Sequence, residues 1–416
     1  MGTSELLAEH TRIIDYLRSP DAVRERCGVL FERARNHQLQ HFDYDVSQLN
    51  RVADYVIEVI QENYPDLDIP FHSRWRHFES GGIPRVAHLE HHLTELSALE
   101  IARIKFDLAI VSVLLDAGAG AEWRYIEPET QRVIQRSEGL AIASFHMFCQ
   151  GLFSSNPDYP FQVDGLGLQQ LTQSRLADGF QATDQNPLVG IAGRLNLLHQ
   201  LGHALHQHPD LFGQPTPRLG NLVDYLRSHA VDHRLPARDV LRAVLDGFSD
   251  IWSGRLQLFG VNLGDVWVHS ALSDAEPGGN LVPFHKLSQW LTYSLLEPLQ
   301  DSGLQITHLD DLTGLPEYRN GGLCIDLGLI QPKHEGIIGN LYRPESEVIV
   351  EWRSLTVIAL DAIADVIRQK LNLSANELPL AKVLQGGTWS AGRKIAAHRR
   401  PGGIPPIQLD SDGTVF

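Results

Sequence analysis

The chain has 416 residues, enough for one large domain or two ordinary ones, and either can bury a substantial core. Hydrophobic residues make up 43% and charged residues 21%, the balance of a soluble globular protein. With 35 basic residues against 51 acidic, the formal charge of -16 sets up a field that repels nucleic acid and anionic membranes, so neither is the expected partner. Cys27, Cys149 and Cys324 are few, odd in number and far apart, which suits reduced thiols rather than a disulfide framework. The opening MGTSELLAEH has neither the basic segment nor the apolar run of a secretory signal, and no apolar run approaches the roughly 18 residues of a membrane span. The expected location is the cytoplasm.

From residue 4 to about 63 the apolar residues recur at helical spacing, as in Leu6, Leu7, Ile13, Ile14 and Leu17, and again in Val52, Val56, Ile57 and Ile60. Three amphipathic helices are expected there, with Asp21 and Ser47 as N-caps. The stretch up to Arg85 holds Pro65, Pro70, Pro84, Gly81 and Gly82, which forbid a long helix. Within it, Arg74, Trp75, Arg76, His77 and Phe78 lie together, and a Gly-Gly turn flanked by arginines could cradle an anionic group or simply be an ordered loop. Residues 93–115 read as a helix whose second half is apolar nearly all round. It ends in Asp116-Ala-Gly-Ala-Gly-Ala-Glu122-Trp123, whose small residues either let the backbone approach a ligand or form a Gly-rich connector.

Helices are expected at 128–150, 165–176, after Pro187, at 219–228 and at 238–250, the last ending near Asp250. His199, His203 and His206 share one helical face, but Leu198, Leu201 and Leu205 occupy the other, so a solvated face is the simpler reading than a metal site. Strand-like stretches lie within 256–268, at 304–309 and at 323–330, the last placing Cys324 and Asp326 on one strand face. Residues 345–370 form a long helix interrupted by Glu351, and a Pro/Gly-rich tail over 400–416 is expected to be partly flexible. The whole reads as one α-rich domain over 1–416, with a possible N-terminal helical subdomain at 1–64. The class is mainly α with a small β-sheet, a helical scaffold around a central cleft.

Residues 281–300, LVPFHKLSQWLTYSLLEPLQ, organise this reading. Pro283 is expected to open a helix and Pro298 to close it. On such a helix Lys286, Gln289, Tyr293 and Glu297 fall in one stripe about 80° wide. Polar groups on a buried helix need partners, and either a substrate or a structural network could supply them. The wider buried-looking set adds Asp116, Glu122, Asp250, His269, His285, Cys324, Asp326 and Glu351. GxSxG, Walker A and GxGxxG opening a helix are all missing, which leaves carboxylate chemistry with or without a metal. Cys324, Asp326 and Glu351, with His285 or His269 as a fourth ligand, form a conceivable zinc site.

The runs LLDAGAGAEWRY at 114–125, GDVWVH at 264–269, VPFHKLSQWLTYSLLEP at 282–298, RNGGLCIDLG at 319–328 and VEWRSLTVIALD at 350–361 resemble those of the uracil-catabolism proteins of fungi and bacteria, the fourth component of that route. The resemblance spans nearly the whole chain. It implies an enzyme acting after the uracil ring is opened, on a urea attached to ribose or ribose 5-phosphate. The residues suit an N-ribosyl hydrolase that releases urea. Asp326 or Asp116 would stabilise positive charge at C1 while a second carboxylate activates water, and Glu297, Tyr293 or a metal would assist the leaving group. Lys286 with Arg76 or Arg85 would hold a phosphate, and Gln289, Glu122, Trp123 and Asp250 would complete substrate binding. Two other readings stay open: a metal-dependent amidohydrolase attacking the urea carbonyl, and a non-catalytic partner of the ring-opening enzyme.

Overall fold

A computed structural model describes residues 3–120, 122–252 and 254–410. The chain is 57% helical, and its β content is a set of two-stranded pairings, six among the described residues. The fold is therefore mainly α with a small β component. The described chain falls into two compact units: the described residues up to His72, Arg255–Gln289 and His308–Asp410 make the first, those of Ser73–Gly254 and Trp290–Thr307 the second. The expected N-terminal subdomain at 1–64 does not stand apart, because residues up to His72 cluster with later segments of the first unit.

In the first unit the helices Thr3–Leu17, Pro20–Arg35 and Leu49–Asn63 lie where the apolar periodicity puts them. Their caps differ from expectation. Ser19 caps the second helix, its Oγ accepting the Ala22 N–H at 3.1 Å, and Asp21 sits in the first turn. Gln48 precedes the third helix, and Ser47 lies in a 3₁₀ turn capped by Asp45. The 25-residue helix Glu347–Leu371 packs on the second and third helices and buries its apolar side from Val348 to Ile367. Phe42–Tyr44 pairs antiparallel with Ile330–Pro332, and Leu341–Tyr342 pairs parallel with Gln408–Leu409. Residues 400–410 of the expected flexible tail thus form a turn and a strand; 411–416 lie outside the described residues.

The run GLCIDLGLI is not a strand. Tyr318–Asp326 is a helix, and only Ile330–Pro332 is extended. Glu317 caps this helix, accepting the N–H groups of Arg319 at 2.8 Å and Asn320 at 2.6 Å. Gly321 lies against the Trp352 ring, where an added Cβ would come within 2.7 Å. Two glycines make a poor helix in isolation, and this close packing replaces intrinsic propensity as the reason for it. On a helix, residues two apart point about 200° apart, so Cys324 and Asp326 do not share a face.

The second unit is built on Ala98–Leu114, buried from Ile104 to Leu114, against which Arg136–Cys149 packs. Ser97 is its N-cap. Ile191–Gln207 carries the three histidines, and they are spread rather than joined: His199 bonds the Leu171 carbonyl, His206 the Gly202 carbonyl, and His203 is exposed. Among the described residues no helix is long and apolar enough to cross a membrane.

The organising helix runs over Lys286–Asp301, shifted from the expected frame. Pro283 belongs to the strand Leu281–Pro283, and Pro298 lies inside the helix. A proline removes the N–H that would bond the carbonyl four residues back. Here that carbonyl is Ser294 O, and the Trp75 indole N–H bonds it at 2.7 Å instead. The Ser294 hydroxyl also accepts the Arg74 backbone N–H at 2.9 Å. The short helix Arg74–Phe78 is thereby fixed to this turn, one residue from Glu297.

Candidate functional site

In the second unit the turn around Pro298 opens on a cavity of about 180 Å³, lined by Trp75, Arg76, Glu79, Val86, Glu90, Lys105, Glu297, Pro298 and Asp301. The volume is below the range of drug-sized ligand sites, so it suits a small polar group. Glu297 accepts the Ser73 hydroxyl at 2.7 Å and an Arg76 guanidinium N–H at 2.7 Å. Burial pushes its carboxyl above the ordinary range, against the lowering influence of Arg76 and Ser73; Asp301 adds to the rise. Asp301 is one helical turn on, and such i,i+4 side chains are neighbours. Lys105 meets Asp301 at 2.7 Å and Glu90 at 2.6 Å. Burial disfavours its charge, but those two carboxylates outweigh it and hold the ammonium above its ordinary value.

Of the expected site residues, Glu297 and Arg76 meet here. Lys105, Glu90, Glu79, Asp301 and Ser73 escaped the sequence reading. One signal was present: Lys105 and Asp107 are charges in a run otherwise apolar all round, which is costly unless each finds a partner. Asp107 is paired with Arg218 at 2.6 Å and the Gly220 N–H at 2.7 Å, and burial still lifts its carboxyl to about 6.

The other expected residues have structural duties. Arg85 binds Glu127 through two N–H groups, at 2.5 and 2.7 Å, and gives its remaining nitrogen to the Phe78 and Ser80 carbonyls. It is a buried tie across the Gly-Gly loop, not an open anion cradle. Asp116 pairs with fully buried Arg74 at 2.9 Å and accepts the Ser137 hydroxyl. The chain on both sides of it turns carbonyls onto Arg194, which bonds the Leu115, Ala117 and Gly118 oxygens. Trp123 is buried with its indole N–H on the Phe180 carbonyl, while Glu122 and Asp250 are exposed. Gln289 is a buried clamp on Thr313, with bonds of 2.7 and 2.8 Å. Tyr293 is fully buried in the same helix, and Lys286 is half-buried at its first residue.

The expected zinc set does not come together among the described residues. Asp326 is gripped by Arg400 in a two-bond pair, the first at 2.7 Å. Glu351 accepts the backbone N–H groups of Gln40, His41 and Phe42 at 3.0 to 3.2 Å, and His269 approaches it at 3.5 Å. His285 bonds the Leu17 carbonyl at 2.8 Å, and burial lowers its pKa. Cys324 is fully buried, and burial pushes its thiol up to about 12. Glu127, Glu129 and His146 do converge, with ligand atoms within 4.8 Å of one another. A guanidinium already occupies Glu127 and holds its carboxyl down to about 2, so this is an ion-pair cluster.

Residues 16–416 match the family described as "Protein of unknown function (DUF1688)". The chain is 41% identical over 417 residues to "Protein urg3" of Schizosaccharomyces pombe, covering 98% of this chain and 100% of that protein. It is 39% identical over 437 residues to "Uracil catabolism protein 4" of Lachancea kluyveri, covering 97% and 99%. A match over almost the full length at this identity places every residue of the cavity inside the shared region, and the chain belongs to the DUF1688 family.

Proposed function

We propose that this protein serves uracil degradation, as the name of its Lachancea kluyveri relative states for that protein, and that it does so as a hydrolase of the N-ribosyl bond of ribosylurea or its 5-phosphate. The observation that carries the reading is Glu297: a carboxyl raised by burial, at a cavity, with a second carboxylate one turn away. A carboxyl poised to hold a proton beside a second carboxylate can divide the roles of general acid and general base. Protonated Glu297 gives its proton to the urea nitrogen as the C1–N bond breaks. Asp301 stabilises the oxocarbenium-like carbon and takes the proton of the water whose oxygen joins C1. Urea and ribose, or ribose 5-phosphate, leave, and the two carboxyls exchange the proton through solvent.

Ser73 and Arg76 position Glu297 without saturating it with donors. The step is written on carboxyl groups alone, because Cys324, Asp326, Glu351 and His285 do not converge as a ligand set among the described residues. Purified protein incubated with ribosylurea and with its 5-phosphate should release urea and the sugar in equal amounts. Ammonia with carbamate would instead support attack on the urea carbonyl, and no product from either compound would end the hydrolase reading.

A further inference from the structure

Four acidic side chains, Glu79, Glu90, Glu297 and Asp301, line the cavity against two cations, Arg76 and Lys105, and with Glu297 protonated three carboxylates still outnumber them. Both cations are already engaged, Arg76 by Glu297 and Lys105 by Glu90 and Asp301. A phosphate dianion entering this space would lose water while facing a surplus of negative charge, so its binding is disfavoured twice. Hydrogen-bond acceptors dominate the wall, and a ligand that supplies several N–H donors satisfies them. Lys105 has three ammonium N–H groups, two of them directed at carboxylates, which leaves one for a carbonyl oxygen.

We infer that the cavity is a subsite for an uncharged, planar, N–H-rich head, a ureide or carboxamide, and not a phosphate pocket. The inference rests on the hydrolase reading for its place in the reaction: the leaving group, not the sugar phosphate, enters here. In that pose the ureide N–H groups face Glu297 and Asp301, and the carbonyl oxygen faces Lys105. Glu297 then sits against the nitrogen it must protonate, which gives the small volume of about 180 Å³ a reason.

The test is saturation-transfer NMR on the full-length protein with N-methylurea as probe. N-Methylurea should show saturation transfer that a large excess of inorganic phosphate leaves unchanged. Val86→Phe, which fills the cavity from its wall, should abolish that transfer. If Val86→Phe does not fold, Glu90→Gln takes its place, with N-methylurea bound about tenfold more weakly. Displacement of N-methylurea by phosphate would overturn the inference. So would tighter binding of methylguanidinium than of N-methylurea, because charge rather than donor number would then govern the site. Urea release on the same preparations separates the two claims. Turnover that persists at the wild-type rate in Val86→Phe overturns the subsite alone. N-Methylurea binding that Val86→Phe removes, in a protein with no turnover, sustains the subsite and overturns the hydrolase.

Discussion

Asp265 and Glu297 are both partly buried carboxyls beside an arginine, yet their surroundings drive them in opposite directions. Asp265 receives two N–H groups from Arg353 at 2.7 and 2.8 Å, the Lys286 backbone N–H at 3.0 Å and the Trp267 indole N–H at 2.7 Å. Burial alone would raise it, but Arg353 and these donors overcome burial and hold it well below the ordinary carboxylate range. Glu297 has one hydroxyl and one guanidinium, and there burial wins. Donor number, rather than burial, decides which carboxyl is locked ionised and which stays able to carry a proton. Glu351, held by three consecutive backbone N–H groups, belongs with Asp265 as a structural anchor.

The sharpest way to break this contrast is to remove Arg353. Arg353→Ala strands a carboxylate that is only 12% exposed, and the expected loss is about 3–5 kcal/mol of stability, read by urea denaturation. The loss should shrink in the Asp265→Asn background; an equal loss there would show that Arg353 acts through packing on Phe284, whose ring lies 4.0 Å away. In wild type the sign follows from the lowered pKa. Asp265 contributes stability at any pH above its unfolded value of about 4, and that contribution fades as pH falls through its folded value.

At Glu297 the large effect falls on activity instead. Glu297→Gln keeps the shape but not the proton, and kcat/KM for urea release should fall about 10²–10⁴-fold with little change in Tm. A variant that retains full turnover would remove Glu297 from the mechanism. Because its pKa is raised, any stability tied to its protonated form is present at low pH and lost as pH rises through the folded value. Activity should fall over the same interval.

Smaller effects sharpen the comparison. Trp75→Phe keeps the ring but leaves the Ser294 carbonyl without the donor that Pro298 cannot supply, at a cost of about 1–3 kcal/mol in unfolding experiments. Ser73→Ala removes a donor that favours ionised Glu297. Its stability cost is about 0.5–1.5 kcal/mol. The falling limb of the pH–rate profile should move to higher pH; movement to lower pH would contradict the hydrogen-bond account. The least effect is expected from Cys324→Ala, which should leave turnover and the metal content of the purified protein unchanged. A parallel fall of both would restore the zinc site.

Much of the architecture was legible because helical periodicity is local. The N-terminal helices, the helix over Glu347–Leu371 and the polar line on 281–300 follow from residues three and four apart. Caps were less legible: Ser19 and Asp21 are both good capping residues, and chain geometry chose Ser19. GLCIDLGLI defeated the periodicity because a short run buried on several sides carries no period, and its helix depends on Glu317 and on Trp352 against Gly321.

Composition and period are enough to show a helix-rich, acidic chain with charged residues embedded in apolar helices, because they dictate which surfaces must be buried. What those charges do depends on the folded chain. The partners that separate a locked carboxylate from a proton-carrying one come from far along the chain: Ser73 lies 224 residues from Glu297, and Arg353 lies 88 from Asp265. A carboxyl's proton affinity is set by the donors and the burial around it in space, and no local pattern encodes either.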